Sequence, residues 1–278
     1  MLRQWYARQK EILTQSGVES AGFELDLLLE QFAEISRERR LLCPDTTLEE
    51  PIRQKLEALI SRRAAGEPLQ YLLGCWEFFG RPFSVGPGVL IPRSDTEVLI
   101  EQALERLSDT PDPKIADLCA GSGCIGITMA CERPDAQVTL MELSPQAGAF
   151  CQKNIDDLSP RCRLVYGDVL CDTAGLSNLD AVLSNPPYIP TKDLADLQRE
   201  VQQEPAMALD GDTDGLRFYR GITALWKQAL RPGGWLIYEI GFDQAQAVCD
   251  ILIQHGFSQV CAVKDYGGND RVVCGRKE

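Results

Sequence analysis

A chain of 278 residues exceeds the usual size of one domain, so a main core with a smaller second unit is the expectation. Its 44% hydrophobic and 25% charged residues describe a globular protein, and the lack of an apolar run of about eighteen residues excludes a helical membrane span. Against 28 basic residues stand 41 acidic ones, and the balance of −13 opposes nonspecific attraction to a polyanion, so stable DNA binding is not expected.

Eleven cysteines include no Cys-x-x-Cys pair, and His255 is the sole histidine, which argues against a metal site. The cysteines read as small apolar residues of a reducing compartment. Charges run through the first ten residues, where a secretory signal needs an apolar stretch. A cytoplasmic location away from membranes, as a monomer, is the expectation.

In chain order, residues 1–73 carry helical stripes: Leu2, Trp5, Tyr6, Ile12 and Leu13, then Leu25, Leu28, Leu29 and Phe32, separated by Ser16-Gly17. A third helix is expected to open on a capping box at Thr47-x-x-Glu50, to run through Ile52, Leu56, Leu59 and Ile60, and to stop near Gly66. These make a small helical domain, on which Arg37, Arg39 and Arg40 form a solvated face or a partner contact. Over residues 74–92, aromatic and β-branched residues punctuated by Gly80, Pro82, Gly86, Pro87 and Gly88 predict a hairpin linker.

Residues 93–278 alternate strand and helix. Strands are predicted at 115–119, 138–143, 163–166, 180–184 and 235–240, with helices at 125–132, 145–155 and 244–255. Two closing strands at 259–263 and 271–275 form an antiparallel edge. The fold class is therefore α/β, a doubly wound Rossmann-like sheet with an antiparallel edge strand, preceded by a small α-helical domain.

Three strand ends carry ligand chemistry. Asp117, Cys119, Ala120, Gly121, Ser122 and Gly123 end the first strand in a loop whose glycines allow a sharp turn and close backbone approach to a ligand. The Gly121-x-Gly123-x-x-Gly126 spacing alone would also suit a nicotinamide dinucleotide. Glu142 ends the second strand, where a carboxylate can accept both ribose hydroxyls of a nucleoside. Asp168, after Gly167 at the end of the third, is placed to hold an adenine amino group. Either acid taken singly also reads as a solvated strand end, but their order on consecutive strands favours a ligand. Asp117 is expected to face a ligand amine, which prefers S-adenosylmethionine over a dinucleotide.

The fourth strand ends in Asn185-Pro186-Pro187-Tyr188. An ordinary turn would use such residues. Two prolines and an aromatic at this position instead suggest a rigid acceptor pocket. The Asn185 side-chain carbonyl and the Pro186 main-chain carbonyl, flanked by fixed φ angles, can take the two hydrogens of one planar NH2 group. Tyr188 can stack on that group's flat face.

These segments resemble the release-factor glutamine methyltransferase family, often called PrmC or HemK, and the resemblance extends over nearly the whole chain. It includes Glu67-Pro68-Leu69-Gln70-Tyr71-Leu72-Leu73-Gly74, the run from Pro87 to Glu97, Glu204-Pro205, Ala208-Leu209-Asp210-Gly211 and Asp214-Gly215-Leu216. It implies S-adenosylmethionine as cofactor, held by Cys119 to Gly123 and by Glu142 at the ribose, with Asn185 also touching it. Amide orientation falls to Asn185 and Pro186, beside Pro187, and stacking to Tyr188. The implied substrate is the glutamine of the Gly-Gly-Gln loop in class-one peptide-chain release factors, docked by the helical domain. Here Glu142 stands where Asp is commoner, Ser94 replaces Pro, and Cys119, Ala120 and Ser122 depart from the usual threonine-bearing loop. Val169 is aliphatic where an aromatic is frequent, which implies weaker adenine stacking. Glu204-Pro205 and Asp214-Gly215 are read as a loop closing over substrate. The competing readings are a nucleic-acid adenine or cytosine amino-methyltransferase, a nicotinamide dehydrogenase and a silent cofactor-binding scaffold.

Overall fold

The computed structural model describes residues 1–159 and 161–278, which form two compact units. The first comprises Met1–Gly74 with Gln198–Gln203. Its helices are α1 (Leu2–Gln15), α2 (Ala21–Ala33), α3 (Arg37–Leu42), α4 (Glu50–Ala64) and α5 (Leu69–Leu73). The apolar stripes converge, with Leu2, Leu13, Leu25, Leu28, Leu29, Leu56 and Ile60 buried together and Trp5, Tyr6, Ile12 and Phe32 packed around them.

Two local expectations change. The capping box at Thr47 does not form, because α4 starts three residues later with Glu49 as an N-cap that makes no side-chain bond. Pro51 sits in that first turn, where its fixed φ suits a helix and its missing N–H costs nothing. The arginine run folds into α3, whose N-terminus is capped by Ser36 Oγ accepting from Arg39 N at 3.3 Å. Arg40 spans Asp26 at 2.7 and 3.1 Å and lies 3.9 Å from the Tyr6 ring centroid, so it serves this unit internally. Arg63, also buried, is held by Glu24 at 2.6 Å and Glu200 at 2.8 Å, which ties the 198–203 segment into the unit.

The second unit comprises Cys75–Leu197 and Glu204–Glu278. It opens with a hairpin of β1 (Cys75–Phe78) and β2 (Arg81–Ser84). Phe78 and Phe83 are buried in this unit's core, so the expected linker packs as part of it. There follow α6 (Glu97–Arg106), β3 (Lys114–Leu118), α7 (Cys124–Glu132), β4 (Gln137–Glu142), α8 (Pro145–Leu158), β5 (Arg163–Tyr166), β6 (Leu179–Ser184), α9 (Arg217–Trp226), β7 (Leu230–Glu239), α10 (Ala245–Gln254), β8 (Phe257–Lys264) and β9 (Asp270–Lys277). The sheet order is β5-β4-β3-β6-β7-β9-β8, parallel except that β9 runs antiparallel to both neighbours.

Strand residues alternate between two cores. Ile115, Ala181, Leu183 and Ile237 face α6, α7 and α8, while Ala116, Leu118, Val182, Leu236 and Tyr238 face α9 and α10. Both faces are therefore covered, as near-continuous apolar strands require. Helices α6 and α9 were not among the expected elements. Each nonetheless carries an apolar stripe at helical spacing, Leu99, Ile100, Ala103 and Leu104 in the first and Phe218, Tyr219, Ile222, Leu225 and Trp226 in the second, where Gly221 weakens the propensity. Gly221 makes room for the tip of Leu170, since a Cβ there would lie 2.5 Å from Leu170 Cδ2 and oblige that side chain to shift.

The strand order reverses at β3, with β4 and β5 on one side and β6 and β7 on the other. Ligands of such sheets bind outside the carboxyl ends of the strands at this reversal.

Candidate active site

One pocket opens at that reversal. It brings together Cys119, Ala120, Gly121, Ser122, Glu142, Asp168, Val169, Asn185 and Pro187 from four strand ends. Asp117, Gly123, Pro186 and Tyr188 are not part of its lining, although the last three adjoin residues that are.

The glycine loop is built by close packing. Gly123, with φ 81°, caps α7, and a Cβ on it would stand 2.8 Å from Ile127 Cδ1 and 2.9 Å from Cys151 Sγ. A Cβ on Gly126 would lie 2.8 Å from Leu140 Cγ, so that glycine lets α7 approach the sheet. Gly121, φ 57°, leaves open space instead, since a Cβ would have nothing nearer than Cys119 O at 4.0 Å. This is room for a ligand at the loop. Cys119 adopts φ 57° as well, an unusual conformation for a residue with a Cβ.

Asp117 is fully buried, and its Oδ2 accepts from Gly126 N at 2.8 Å. It braces the start of α7 from below rather than reaching into the pocket wall. Its Oδ1 has no hydrogen-bond partner. Burial pushes its carboxyl up to about 7, against the pull of the Gly126 bond and with help from the charge of Glu142.

Glu142 ends β4 at the pocket, with Oε2 accepting from Gly121 N at 2.8 Å and Oε1 from Ser144 N at 2.7 Å. Two backbone bonds fix the carboxylate while leaving lone pairs for hydroxyl donors. Asp168 caps its own turn, accepting from Leu170 N at 2.9 Å. Val169 is buried, and its carbonyl accepts from Trp226 Nε1 at 2.9 Å. Glycine room, a held strand-end carboxylate and apolar walls at Leu143 and Ala147 fit an adenosyl group.

Past β6, Asn185 Nδ2 donates to Thr96 Oγ1 at 3.4 Å, and Thr96 Oγ1 donates to Glu239 Oε2 at 2.5 Å. Tyr188 OH lies 3.5 Å from Glu239 Oε1. Its carbonyl accepts from Gln244 Nε2 at 2.9 Å. The Asp-Gly dipeptides pack on this turn. A Cβ on Gly211 would be 2.8 Å from Tyr188 Cα, and one on Gly215 2.3 Å from Tyr188 O. Buried Glu204 accepts from Ile91 N at 2.9 Å and pairs with Arg93, fixing the 88–93 segment that lines another wall. Pro205, Met207 and Ala208 complete that side.

Sequence reasoning missed Thr96, Glu239, Met207 and Phe218. The signal for Glu239 was a carboxylate inside the apolar run 235–240. Among the described residues no group of three or more His, Cys, Asp or Glu side chains is arranged to hold a metal, and the cysteines are free.

A doubly wound sheet with a fixed carboxylate and an Asn-Pro-Pro-Tyr turn around one cavity defines a methyltransferase. Comparison with known proteins narrows the class. Residues 4–74 match the PrmC N-terminal domain and residues 94–210 the methyltransferase small domain. The release factor glutamine methyltransferase of Geobacter sulfurreducens is 43% identical over 265 residues, covering 95% of this chain and 92% of that one. The release factor glutamine methyltransferase of Moorella thermoacetica is 42% identical, covering 97% and 96%, and that of Escherichia coli 37%, covering 93% of each. The chain belongs to the release factor glutamine methyltransferase family. Among solved structures, the hMettl16 catalytic domain in complex with the MAT2A 3′UTR hairpin 1 shares the fold with a TM-score of 0.60 at 14% identity, covering 91% of each chain. A methyltransferase from Pyrococcus furiosus does so with a TM-score of 0.51 at 16% identity, covering 80% of this chain and 97% of that one. No helix among the described residues is long and apolar enough to cross a membrane.

Proposed function

We propose that this chain transfers a methyl group from S-adenosylmethionine to the side-chain amide nitrogen of the glutamine in the Gly-Gly-Gln motif of class-one release factors. The observation that carries the reading is the opening of Glu142 and Asn185 into one cavity from strands on either side of β3. Glu142 and the 119–123 loop would hold the adenosyl group, with Asp168 and Val169 beside the base. S-adenosylmethionine would supply an electrophilic methyl on a sulfonium: the nitrogen–carbon bond forms as the carbon–sulfur bond breaks to leave a neutral thioether, and one amide proton is then lost to solvent.

An amide nitrogen is a poor nucleophile because its lone pair is delocalised, and its N–H becomes acidic only as the methyl arrives. Asn185 Oδ1 and the Pro186 carbonyl take the two amide hydrogens and strengthen as positive charge builds on nitrogen. Pro186 and Pro187 hold the turn still, so that orientation and exclusion of water supply most of the acceleration, without a strong base. Tyr188 contributes its ring beside the acceptor pair. The helical unit docks the release factor, and the chain works in the cytoplasm as a monomer without stable DNA binding.

The test is transfer of labelled methyl to purified class-one release factor, to the same factor with its loop glutamine changed to alanine, and to DNA. Label on the first alone is the expected result. Label on DNA instead would keep the pocket and overturn the substrate, and no label anywhere would overturn the activity.

A further inference from the structure

We infer that Thr96 and Glu239 are positioning residues that decide which end of the Asn185 amide faces the substrate. The inference rests on the reading of Asn185 as an amide acceptor. An asparagine side chain presents a carbonyl on one side and an NH2 on the other, and only the carbonyl can accept a substrate N–H. Something must choose between two ends of nearly equal size.

The choice is made by one hydroxyl. Thr96 stands on the 3-10 turn Ser94–Thr96 ahead of α6, and Glu239 is the last residue of β7, next to β6 in the sheet. They are 1% and 2% exposed, so no solvent substitutes for either. A threonine hydroxyl has a single proton. Thr96 gives it to the Glu239 carboxylate at 2.5 Å, and its oxygen is left to accept at 3.4 Å from Asn185 Nδ2. With Nδ2 engaged by Thr96, Oδ1 is the end of the amide left for a substrate donor in the pocket that both residues line. The second Glu239 oxygen, 3.5 Å from the Tyr188 hydroxyl, engages the other end of the same turn.

The direction of the chain depends on the charge of Glu239. A protonated Glu239 can donate to Thr96, which releases the threonine proton toward Asn185 and favours the inverted amide. Burial pushes Glu239 up to about 7; the Thr96 bond and the positive charge of Arg271 oppose this, Asp95 adds to it, and the Tyr188 bond opposes it again. Arg271 is itself shared with Asp95 at 3.4 Å and Asp265 at 3.2 Å. From α9, the Tyr219 hydroxyl donates to the Glu239 main-chain carbonyl at 2.9 Å and leaves the carboxylate to Thr96 and Tyr188. Turnover should therefore fall as pH drops through the neutral range.

The experiment compares full-length wild type, Thr96→Val, Thr96→Ser, Glu239→Gln and Asn185→Ala. Each is assayed for methyl transfer to release factor at saturating cofactor and for S-adenosylmethionine affinity by calorimetry. Thr96→Val keeps the shape and removes the hydroxyl, and it should lower kcat about ten- to a hundredfold while cofactor Kd stays within about threefold. Thr96→Ser, which keeps the hydroxyl, should recover most of that loss. Glu239→Gln should abolish the acid limb of the kcat profile between about pH 6 and 8. Turnover of Thr96→Val within about twofold of wild type, or an equal loss in Thr96→Ser, overturns the inference. If Thr96→Val does not fold, an acid limb retained in Glu239→Gln overturns it. A fully active Asn185→Ala would instead refute the functional reading on which the relay rests, whereas an inactive Asn185→Ala beside a normal Thr96→Val removes only the relay.

Discussion

Replacing Glu142 with alanine isolates cofactor binding from chemistry. The carboxylate is held by Gly121 N at 2.8 Å and Ser144 N at 2.7 Å, so its remaining lone pairs have a fixed direction before any ligand arrives. Hydrogen bonds to a charged acceptor contribute about 1.5–3 kcal/mol each, and two ribose hydroxyls would lose their acceptor together. Water entering the vacated space offsets part of this, which leaves a loss of about 3 kcal/mol, or about a hundredfold in Kd for S-adenosylmethionine. Glu142→Gln should fall between the two, because its NH2 must confront one of the two backbone donors. Calorimetric titration of each variant measures the effect directly. Asn185→Ala is the counterpart, expected to lower kcat while leaving that Kd nearly unchanged. A Glu142→Ala Kd within about threefold of wild type, or equal losses of affinity in both variants, would refute these roles.

Two further substitutions test the scaffold. Gly215→Ala forces a left-handed residue, φ 72°, to carry a Cβ 2.3 Å from Tyr188 O. Conformational strain and overpacking together predict a loss of about 2–5 kcal/mol, seen as a lower Tm with reduced turnover; a Tm shift below about one degree would contradict the packing. Asp117 is raised to about 7 by burial, so the native state keeps a proton that the unfolded chain releases. Its contribution to stability is complete below about pH 4 and is lost as pH rises through about 7. Asp117→Asn keeps an acceptor for Gly126 N and does not titrate, so its urea midpoint should gain on wild type between about pH 5 and 8. A constant difference across that range would refute the burial argument.

The parts of the site legible in sequence were those written locally. An apolar strand followed by Gly121, Ser122 and Gly123, an acid at the end of the next strand and Asn185-Pro186-Pro187 after a third each announce themselves within a few residues, because backbone freedom or rigidity is a property of the residue itself. The alternation of strand and helix likewise set the sheet class. What only the tertiary structure decided is how distant side chains spend their hydrogen-bonding capacity. Asp117 stands beside the loop in sequence yet turns beneath it to meet Gly126 N. Gly221 in α9 leaves room for Leu170, a residue on another segment. Thr96 and Glu239 are 143 residues apart, and neither signals a partner by type or spacing. Burial removed water from both, so the Thr96 hydroxyl is left to Glu239 and Asn185, and the Glu239 carboxylate to Thr96 and Tyr188. A hydroxyl with one proton then acquired a direction that no stretch of the chain specifies alone.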